Sequence, residues 1–167
     1  MDTNRFRYAD ESDVTLILQF IKAIAEYEKM SDEVVATEEL LHEWLFEKKI
    51  GEVIFALENG VEVGFALFFY NFSTFVGRGG IHLEDLFVKL EFRGKGYGKG
   101  LLREIAKLAA EKGCGRVEWT CLDWNTPSIN FYLSLGAQQM NEWTIYRLSG
   151  DSLRKVSELS TIQERKE

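Results

Sequence analysis

Apolar residues recur three or four positions apart in several parts of the chain, which is the spacing of one face of an α-helix. The first run follows capping side chains in residues 10–13 and predicts a helix that ends near Glu28. A second helix is expected from its N-cap Thr37 to Gly51, and a third after Gly100. The apolar positions of the first helix are Val14, Ile17, Ile21 and Ile24, and those of the third are Leu101, Leu102, Ile105, Leu108 and Ala109.

Short apolar runs bounded by turn residues predict strands. The clearest are residues 53–57 and 61–75, which flank the turn pair Asn59-Gly60 and therefore predict a hairpin. A glycine-rich stretch, 77–80, ends this hairpin before the next strand, 81–88. Because helical and strand patterns alternate along the chain, we expect an α/β fold. The remaining predicted strands are 5–9, 117–121 and 143–148.

The C-terminal third contains the only proline, Pro127. Its position predicts a short helix that has Thr126 as N-cap and reaches about Leu135. Residues 149–167 are charged and serine-rich, which predicts a surface helix or a frayed tail. Because there is no internal repeat or linker, we expect the 167 residues to form one domain with its core in residues 5–148.

A glycine-rich segment, Arg93-Gly94-Lys95-Gly96-Tyr97-Gly98-Lys99-Gly100, separates the strand 81–88 from the third helix. Alternating glycines let the backbone curl around an anion, and the following helix directs its unpaired N–H groups to the same point. The spacing fits neither the dinucleotide fingerprint nor the nucleoside triphosphate loop. The segment therefore predicts either a phosphate-binding loop or a flexible glycine turn.

Charge and composition narrow the class of protein. The 27 acidic and 20 basic residues give a net charge of -7, which disfavours nucleic acid as a partner and suits a polycationic ligand. Cys114 and Cys121 lack the spacing of metal ligands, so we expect no metal. No apolar run is long enough to cross a bilayer, and the N-terminus shows no targeting segment. We therefore expect a cytoplasmic protein without a membrane partner.

Several segments together resemble the GNAT superfamily of N-acetyltransferases, whose pyrophosphate-binding consensus Q/R-x-x-G-x-G/A matches Arg93, Gly96 and Gly98. The chain is similar to the spermidine/spermine (diamine) acetyltransferases and the thialysine acetyltransferases over roughly residues 5–148. It departs from them after Ala137, which leaves the acceptor open. The matching segments are Ala25-Glu26-Tyr27-Glu28, Leu83-Glu84-Asp85-Leu86-Phe87-Val88 and Asn125-Thr126-Pro127-Ser128-Ile129-Asn130-Phe131-Tyr132.

The resemblance implies a GNAT fold, with a mixed, mostly antiparallel sheet of six or seven strands flanked by helices on both faces. It also implies acetyl-CoA as cosubstrate. The backbone of Leu86, Phe87 and Val88 would bind the pantetheine arm, and Asn125 would contact the coenzyme. The pyrophosphate would lie on Arg93, Gly94, Lys95, Gly96, Tyr97, Gly98 and Lys99.

The same resemblance assigns two catalytic roles. Glu84 would relay a proton from the attacking amine, and Tyr132 would protonate the departing thiolate. From the residues alone, an exposed pair at a strand end is the alternative interpretation of Glu84 and Asp85. The alternative interpretation of Tyr132 is a half-buried packing residue of its helix.

Similar enzymes contact the acceptor at the end of the first helix, which points to Tyr27 and Glu28 here, together with Glu84. A ring and a carboxylate suit an ammonium group, although a solvent-facing helix end is the alternative interpretation. The resemblance thus implies transfer to a primary amine of a polyamine, a diamine or a lysine-like amino acid, by an enzyme that is a homodimer. There are two alternatives. The enzyme could acetylate a protein lysine or N-terminal amine, or the chain could be a non-catalytic module that binds coenzyme A.

Overall fold

A mixed, five-stranded sheet organises the computed structural model, which describes residues 5–159. The strands follow chain order across the sheet, and only the last pair, β4 and β5, is parallel. This confirms the mixed, mostly antiparallel α/β fold, but with five strands in the described residues instead of six or seven. The strands are β1 (Phe6–Tyr8), β2 (Glu52–Glu58), β3 (Val61–Ser73), β4 (Arg78–Val88) and β5 (Val117–Glu118).

The observed helices largely match those predicted from the spacing of apolar residues. α1 (Val14–Glu28) ends where expected, and Thr37 caps α2 (Glu38–Leu41), which continues as a π-helical turn over His42–Glu47. That turn ends before the predicted exit at Gly51, because Lys49 already adopts a left-handed φ of 54°. The other helices are α3 (Tyr97–Glu111), α4 (Thr126–Ser134) and α5 (Gly150–Ser157).

The hairpin of β2 and β3 has the predicted turn. Asn59 and Gly60 have φ values of 54° and 79°, the signs that a two-residue type I′ turn requires. Gly79 and Gly80 lie inside β4 and do not end the preceding strand as predicted. A Cβ on Gly80 would lie 2.5 Å from Asn71 Oδ1 on the neighbouring strand, so this glycine permits close approach within the sheet.

Helices cover both faces of this sheet, as predicted. On one face, Phe20 of α1 packs against alternate residues of the strands, including Phe55, Phe65 and Phe87. On the other face, the buried Ile54 and Ala66 lie on the side of α3, whose Leu101 and Ile105 are fully buried. The alternation of strand side chains explains why nearly every residue in the middle of β2 and β3 is apolar.

Two elements of the C-terminal third differ from prediction. Residues 143–148 form no strand, and Trp143 and Tyr146 are 70% and 91% exposed. An alternating pattern becomes a strand only when a sheet edge pairs with its backbone. The N-cap of α4 is Asn125 and not Thr126, because the Asn125 side chain accepts a hydrogen bond from Ser128 N at 3.3 Å.

The chain divides into two compact units, one ending at Thr120 and one beginning at Cys121. The first contains the whole sheet with α1, α2 and α3, and the second contains α4 and α5. The predicted tail, 149–167, is an exposed helix at α5, and its residues 160–167 lie outside the described part of the chain. Over residues 5–159, no helix combines the length and the apolar character that crossing a bilayer requires.

Candidate active site

The glycine-rich segment leads directly into α3 with two residues in left-handed conformations. Gly94 and Gly96 have φ values of 77° and 87°, and a Cβ on either would meet no atom within 4 Å. These glycines are therefore required for their backbone conformation, and the space above them is open. The helix begins at Tyr97, so Gly98 and Lys99 lie in its first turn and not in the loop as predicted.

The N-terminus of α3 is suited to an anion. Gly96 is its N-cap and has no side chain to accept a bond from the first N–H groups, while the Gly96 carbonyl already accepts from Gly100 N at 2.9 Å. The N–H groups of the first turn therefore remain directed outward, where the helix dipole favours negative charge. This arrangement fits the diphosphate of coenzyme A.

Gly100 fixes the position of this helix end relative to the sheet. A Cβ at Gly100 would lie 2.4 Å from Cζ of Phe6, a ring that is itself buried in β1. The helix and the strand can approach this closely only because residue 100 has no side chain. Gly100 therefore belongs to the packing of the helix on the sheet and not, as the sequence predicts, to the glycine-rich loop.

Arg93 joins the loop to β4 and α1. Its Nε donates a hydrogen bond to the Val88 carbonyl at 2.9 Å, and its guanidinium carbon lies 4.4 Å from the ring centroid of Tyr27 and 5.4 Å from that of Phe87. Stacking of this kind is favourable for a planar guanidinium. The structure thus brings together Arg93, predicted to bind the coenzyme, and Tyr27, predicted to bind the acceptor.

A β-bulge interrupts the ladder between β3 and β4 beside the predicted catalytic carboxylate. Leu67 is opposite Asp85, whereas Phe68 is opposite Leu83, so Glu84 is the extra residue. Bulges commonly redirect side chains next to active sites.

The bulge also brings polar side chains to the α1 side of the sheet. His82 and Asp85 are opposite Phe69 and Leu67, which lie on one face of β3. Without the extra residue, these two side chains, three positions apart, would point to opposite faces. His82 Nε2 lies 3.6 Å from a carboxylate oxygen of Glu84, whose side chain is 57% exposed and therefore accessible to water.

Asp85 has the most perturbed carboxyl group of this site. Burial raises the pKa of Asp85 to about 7, and the negative charges of Glu84 and Glu28 add to the shift. Burial also raises the pKa of Glu28, at the C-terminus of α1. Three carboxyl groups from two elements therefore share one region, and perturbed groups of this kind cluster at functional sites.

Asp85 is not among the site residues predicted from the sequence. Two adjacent acidic residues inside an apolar strand cannot both lie on its exposed face, and this was the available signal of a bulge. The pKa shift itself arises chiefly from burial, with smaller effects of Glu84 and of Glu28, 57 positions earlier in the chain, and no local sequence pattern reports the burial or the charge of Glu28.

The backbone of Leu86, Phe87 and Val88 lies where the sheet opens. The ladder between β4 and β5 joins only Ile81 to Val117 and His82 to Glu118. The last part of β4 continues beyond this ladder before it reaches the loop.

The second unit carries the remaining predicted residues. Asn125 is buried, and its side-chain oxygen caps α4. Tyr132 is half-buried on α4, with its ring 5.2 Å from that of Phe131.

Comparison with known proteins identifies the family. The Acetyltransferase (GNAT) family profile matches residues 18–137. A thialysine N-epsilon-acetyltransferase from Bos taurus is 36% identical over 163 residues, which cover 90% of this chain and 95% of the relative. An L-ornithine N5-acetyltransferase from Arabidopsis thaliana is 45% identical over 104 residues, 62% of this chain and 46% of the relative.

A solved structure shares the fold of this chain. The solved structure of an integron cassette protein from V. cholerae superposes with a TM-score of 0.77 at 30% identity, and the match covers 92% of this chain and 97% of that protein. The family match includes the bulge of β4, the glycine-rich segment and α4. This chain therefore belongs to the GNAT family of acetyltransferases and is an acetyl-CoA-dependent N-acetyltransferase.

Proposed function

We propose that the acceptor is the primary amine of a small cationic molecule, with lysine-like and ornithine-like amino acids preferred over polyamines and diamines. The observation that carries this proposal is the group of three carboxyls, Glu28, Glu84 and Asp85, in which Glu84 and Glu28 act electrostatically on Asp85. Tyr27 directly precedes Glu28 at the end of α1. An ammonium group is attracted both to carboxylates and to aromatic faces. The names of the thialysine and ornithine relatives support the same chemical class.

Acetyl-CoA would bind along the end of β4 and the start of α3. The backbone of Leu86, Phe87 and Val88 would hold the pantetheine arm, and Asn125 would contact the coenzyme. The loop and first helical turn, 93–99, would bind the diphosphate through outward N–H groups, with the side chains of Arg93, Lys95 and Lys99 at its rim. The open left-handed conformations of Gly94 and Gly96 support this assignment.

Two proton transfers accompany the acetyl transfer. An alkyl ammonium has a pKa near ~10, so the attacking amine must lose a proton, and Glu84 would accept it through water. The exposed position of Glu84 next to His82 supports this role, because a water chain can reach it. Tyr132 would donate a proton to the sulfur as the C–S bond breaks, and its hydroxyl would recover one from solvent.

The family match crosses the boundary between the two compact units, which supports their action as one acetyltransferase domain. We further propose that the protein is a homodimer and is located in the cytoplasm. The similarity to the polyamine enzymes supports the dimer, and the acidic composition without long apolar runs supports the location.

A panel of amines tests the acceptor class. We expect thialysine or ornithine to give a kcat/KM at least about 100-fold above that of a lysine-containing peptide, because the peptide lacks a second nearby charge. Spermidine, spermine, putrescine and lysine complete the panel, and release of free thiol from acetyl-CoA is the measurement. Fastest turnover of the peptide would favour a protein acceptor. Coenzyme A binding without thiol release from any amine would favour a non-catalytic module.

The raised pKa of Asp85 predicts a pH dependence. A carboxyl with a pKa of about 7 is mostly neutral at pH 6 and mostly ionised at pH 8, and only the ionised form attracts an ammonium. We expect kcat/KM for the amine to rise between pH 6 and 8 with an inflection near 7. In Asp85→Asn, that inflection should disappear, and kcat/KM at pH 8 should fall about tenfold. Asp32→Asn is the matched control, because Asp32 is an exposed carboxylate in the segment after α1.

The pH dependence of the free energy of unfolding gives an independent measurement of the pKa of Asp85. Because the pKa of Asp85 is raised from its ordinary 3.8 to about 7, the folded state binds this proton more tightly than the unfolded state does. The contribution of Asp85 to the free energy of unfolding should therefore fall as pH rises from about 4 to about 7 and stay constant above. Denaturation of Asp85→Asn should lack this decline. An identical decline in both proteins would contradict the assignment of the pKa to Asp85.

A further inference from the structure

Glu58, the last residue of β2, contacts two residues of the glycine-rich segment. One carboxylate oxygen accepts hydrogen bonds from Lys95 Nζ at 3.0 Å and from the Tyr97 hydroxyl at 3.0 Å, and the other oxygen lies 3.3 Å from Lys95 Nζ. The Lys95 contact is the largest cause of a lowered pKa at Glu58, so the group is ionised at neutral pH. The hairpin that carries Glu58 is thus attached to the loop by three short contacts.

The loop needs such an attachment from outside. A helix that presents its first N–H groups to an anion cannot also use them for a side-chain cap, and α3 has none at Gly96. The two left-handed glycines further increase the conformational freedom of the segment in the absence of ligand. Tyr97 is the first helical residue, so a bond to its hydroxyl restrains the N-terminal turn without occupying any backbone N–H.

Burial and a second contact also restrain the ring of Tyr97. It is buried, and the guanidinium carbon of Arg5 lies 5.4 Å from its centroid. Lys95 in turn lies over the ring of Phe92, at 4.9 Å. Of the two partners of Glu58, Tyr97 is thus already ordered by burial, which reduces the entropy lost when this contact forms.

We propose that Glu58 is a positioning residue for acetyl-CoA, which holds the diphosphate loop and the first turn of α3 in their binding conformation through Lys95 and Tyr97. The inference rests on the proposed assignment of the coenzyme to this loop. Charge alone predicts the opposite effect, since a carboxylate near a diphosphate is repulsive and its removal would strengthen binding. Weaker binding after removal of Glu58 is therefore a result that positioning explains and simple electrostatics does not.

Calorimetric titration with coenzyme A tests the proposal. We expect Glu58→Ala to raise the Kd about tenfold and Glu58→Gln, which keeps one acceptor oxygen, to raise it about threefold. In steady-state assays, KM for acetyl-CoA should rise by the same factors, while kcat at saturating acetyl-CoA stays unchanged. Glu62→Gln is the matched control, because this carboxylate on the same hairpin bonds to Arg7 and not to the loop.

A double-mutant cycle identifies the route of the effect. In a Lys95→Met, Tyr97→Phe background, adding Glu58→Ala should change the Kd by less than about twofold, because its partners are already absent. An unchanged or lower Kd in Glu58→Ala would overturn the proposal, as would a full tenfold loss in that background. If the wild-type protein does not bind coenzyme A, the assignment of the loop fails instead, which is a separate outcome.

Discussion

Replacing Tyr132 with phenylalanine is expected to lower kcat by about 10²- to 10⁴-fold and to leave the Kd for acetyl-CoA within about threefold. The change removes one hydroxyl and retains the ring that packs beside Phe131. Without the phenol, the thiolate must leave unprotonated or take its proton from water, so the barrier to collapse of the tetrahedral intermediate rises. Single-turnover rates with a good amine acceptor, measured alongside calorimetric binding of coenzyme A, separate the two effects.

Tyr146→Phe is the matched control for this experiment. It removes the same atom from a tyrosine of the same unit that is 91% exposed. We expect no change in its kcat. If Tyr132→Phe also retained full turnover, Tyr132 would have no part in proton transfer, and packing within its helix would be its role.

Substitution of Gly96 by valine should abolish measurable coenzyme binding, with a Kd raised by at least about 100-fold. Gly96 has a φ of 87°, which a β-branched residue adopts only at high energetic cost. No atom lies within 4 Å of the added Cβ, so that carbon meets no neighbour in the protein, and we expect the side chain to project into the space proposed for the diphosphate. Calorimetry with coenzyme A is the measurement, with thermal unfolding as a check on the fold.

Gly77→Val provides a control with the same backbone strain. Gly77 also has a positive φ, 66°, and open space around its Cβ position, but it lies in the turn between β3 and β4, at the opposite end of β4 from the loop. We expect comparable loss of stability and normal coenzyme affinity. Equal affinities in both variants would show that the diphosphate binds elsewhere.

The elements that sequence predicted well depend on neighbouring residues. α1 ends at Glu28 as its periodicity indicates, and the Asn59-Gly60 pair forms the expected turn. Both signals are contained within one helix face or one dipeptide, so the surrounding fold has little influence on them. The glycine-rich segment was predictable for the same reason, because its left-handed backbone conformations favour glycine whatever the surrounding fold.

The elements that sequence predicted badly depend on contacts between distant segments. Residues 143–148 alternate like a strand, yet in the described structure they pair with no strand of the sheet. Asn125 and Thr126 are both good N-cap residues, and the structure has Asn125 in this position, buried and with its side chain accepting the bond from Ser128 N. These outcomes follow from tertiary context, which overrides local preference.

The amino-acid sequence by itself determined the α/β class, the hairpin, the glycine-rich segment before α3 and, through the resemblance of several segments, the GNAT family. Only the tertiary structure showed that a bulge at Glu84 places Asp85 on the α1 side of the sheet, where burial and the charges of Glu84 and Glu28 raise its pKa. Only the structure showed, likewise, that Glu58 bonds to Lys95, 37 positions later in the chain. Periodicity and turn chemistry report short-range sterics and hydrophobic burial. Register, desolvation and charge proximity depend on which strands and helices become neighbours, and these arise only when the chain has folded.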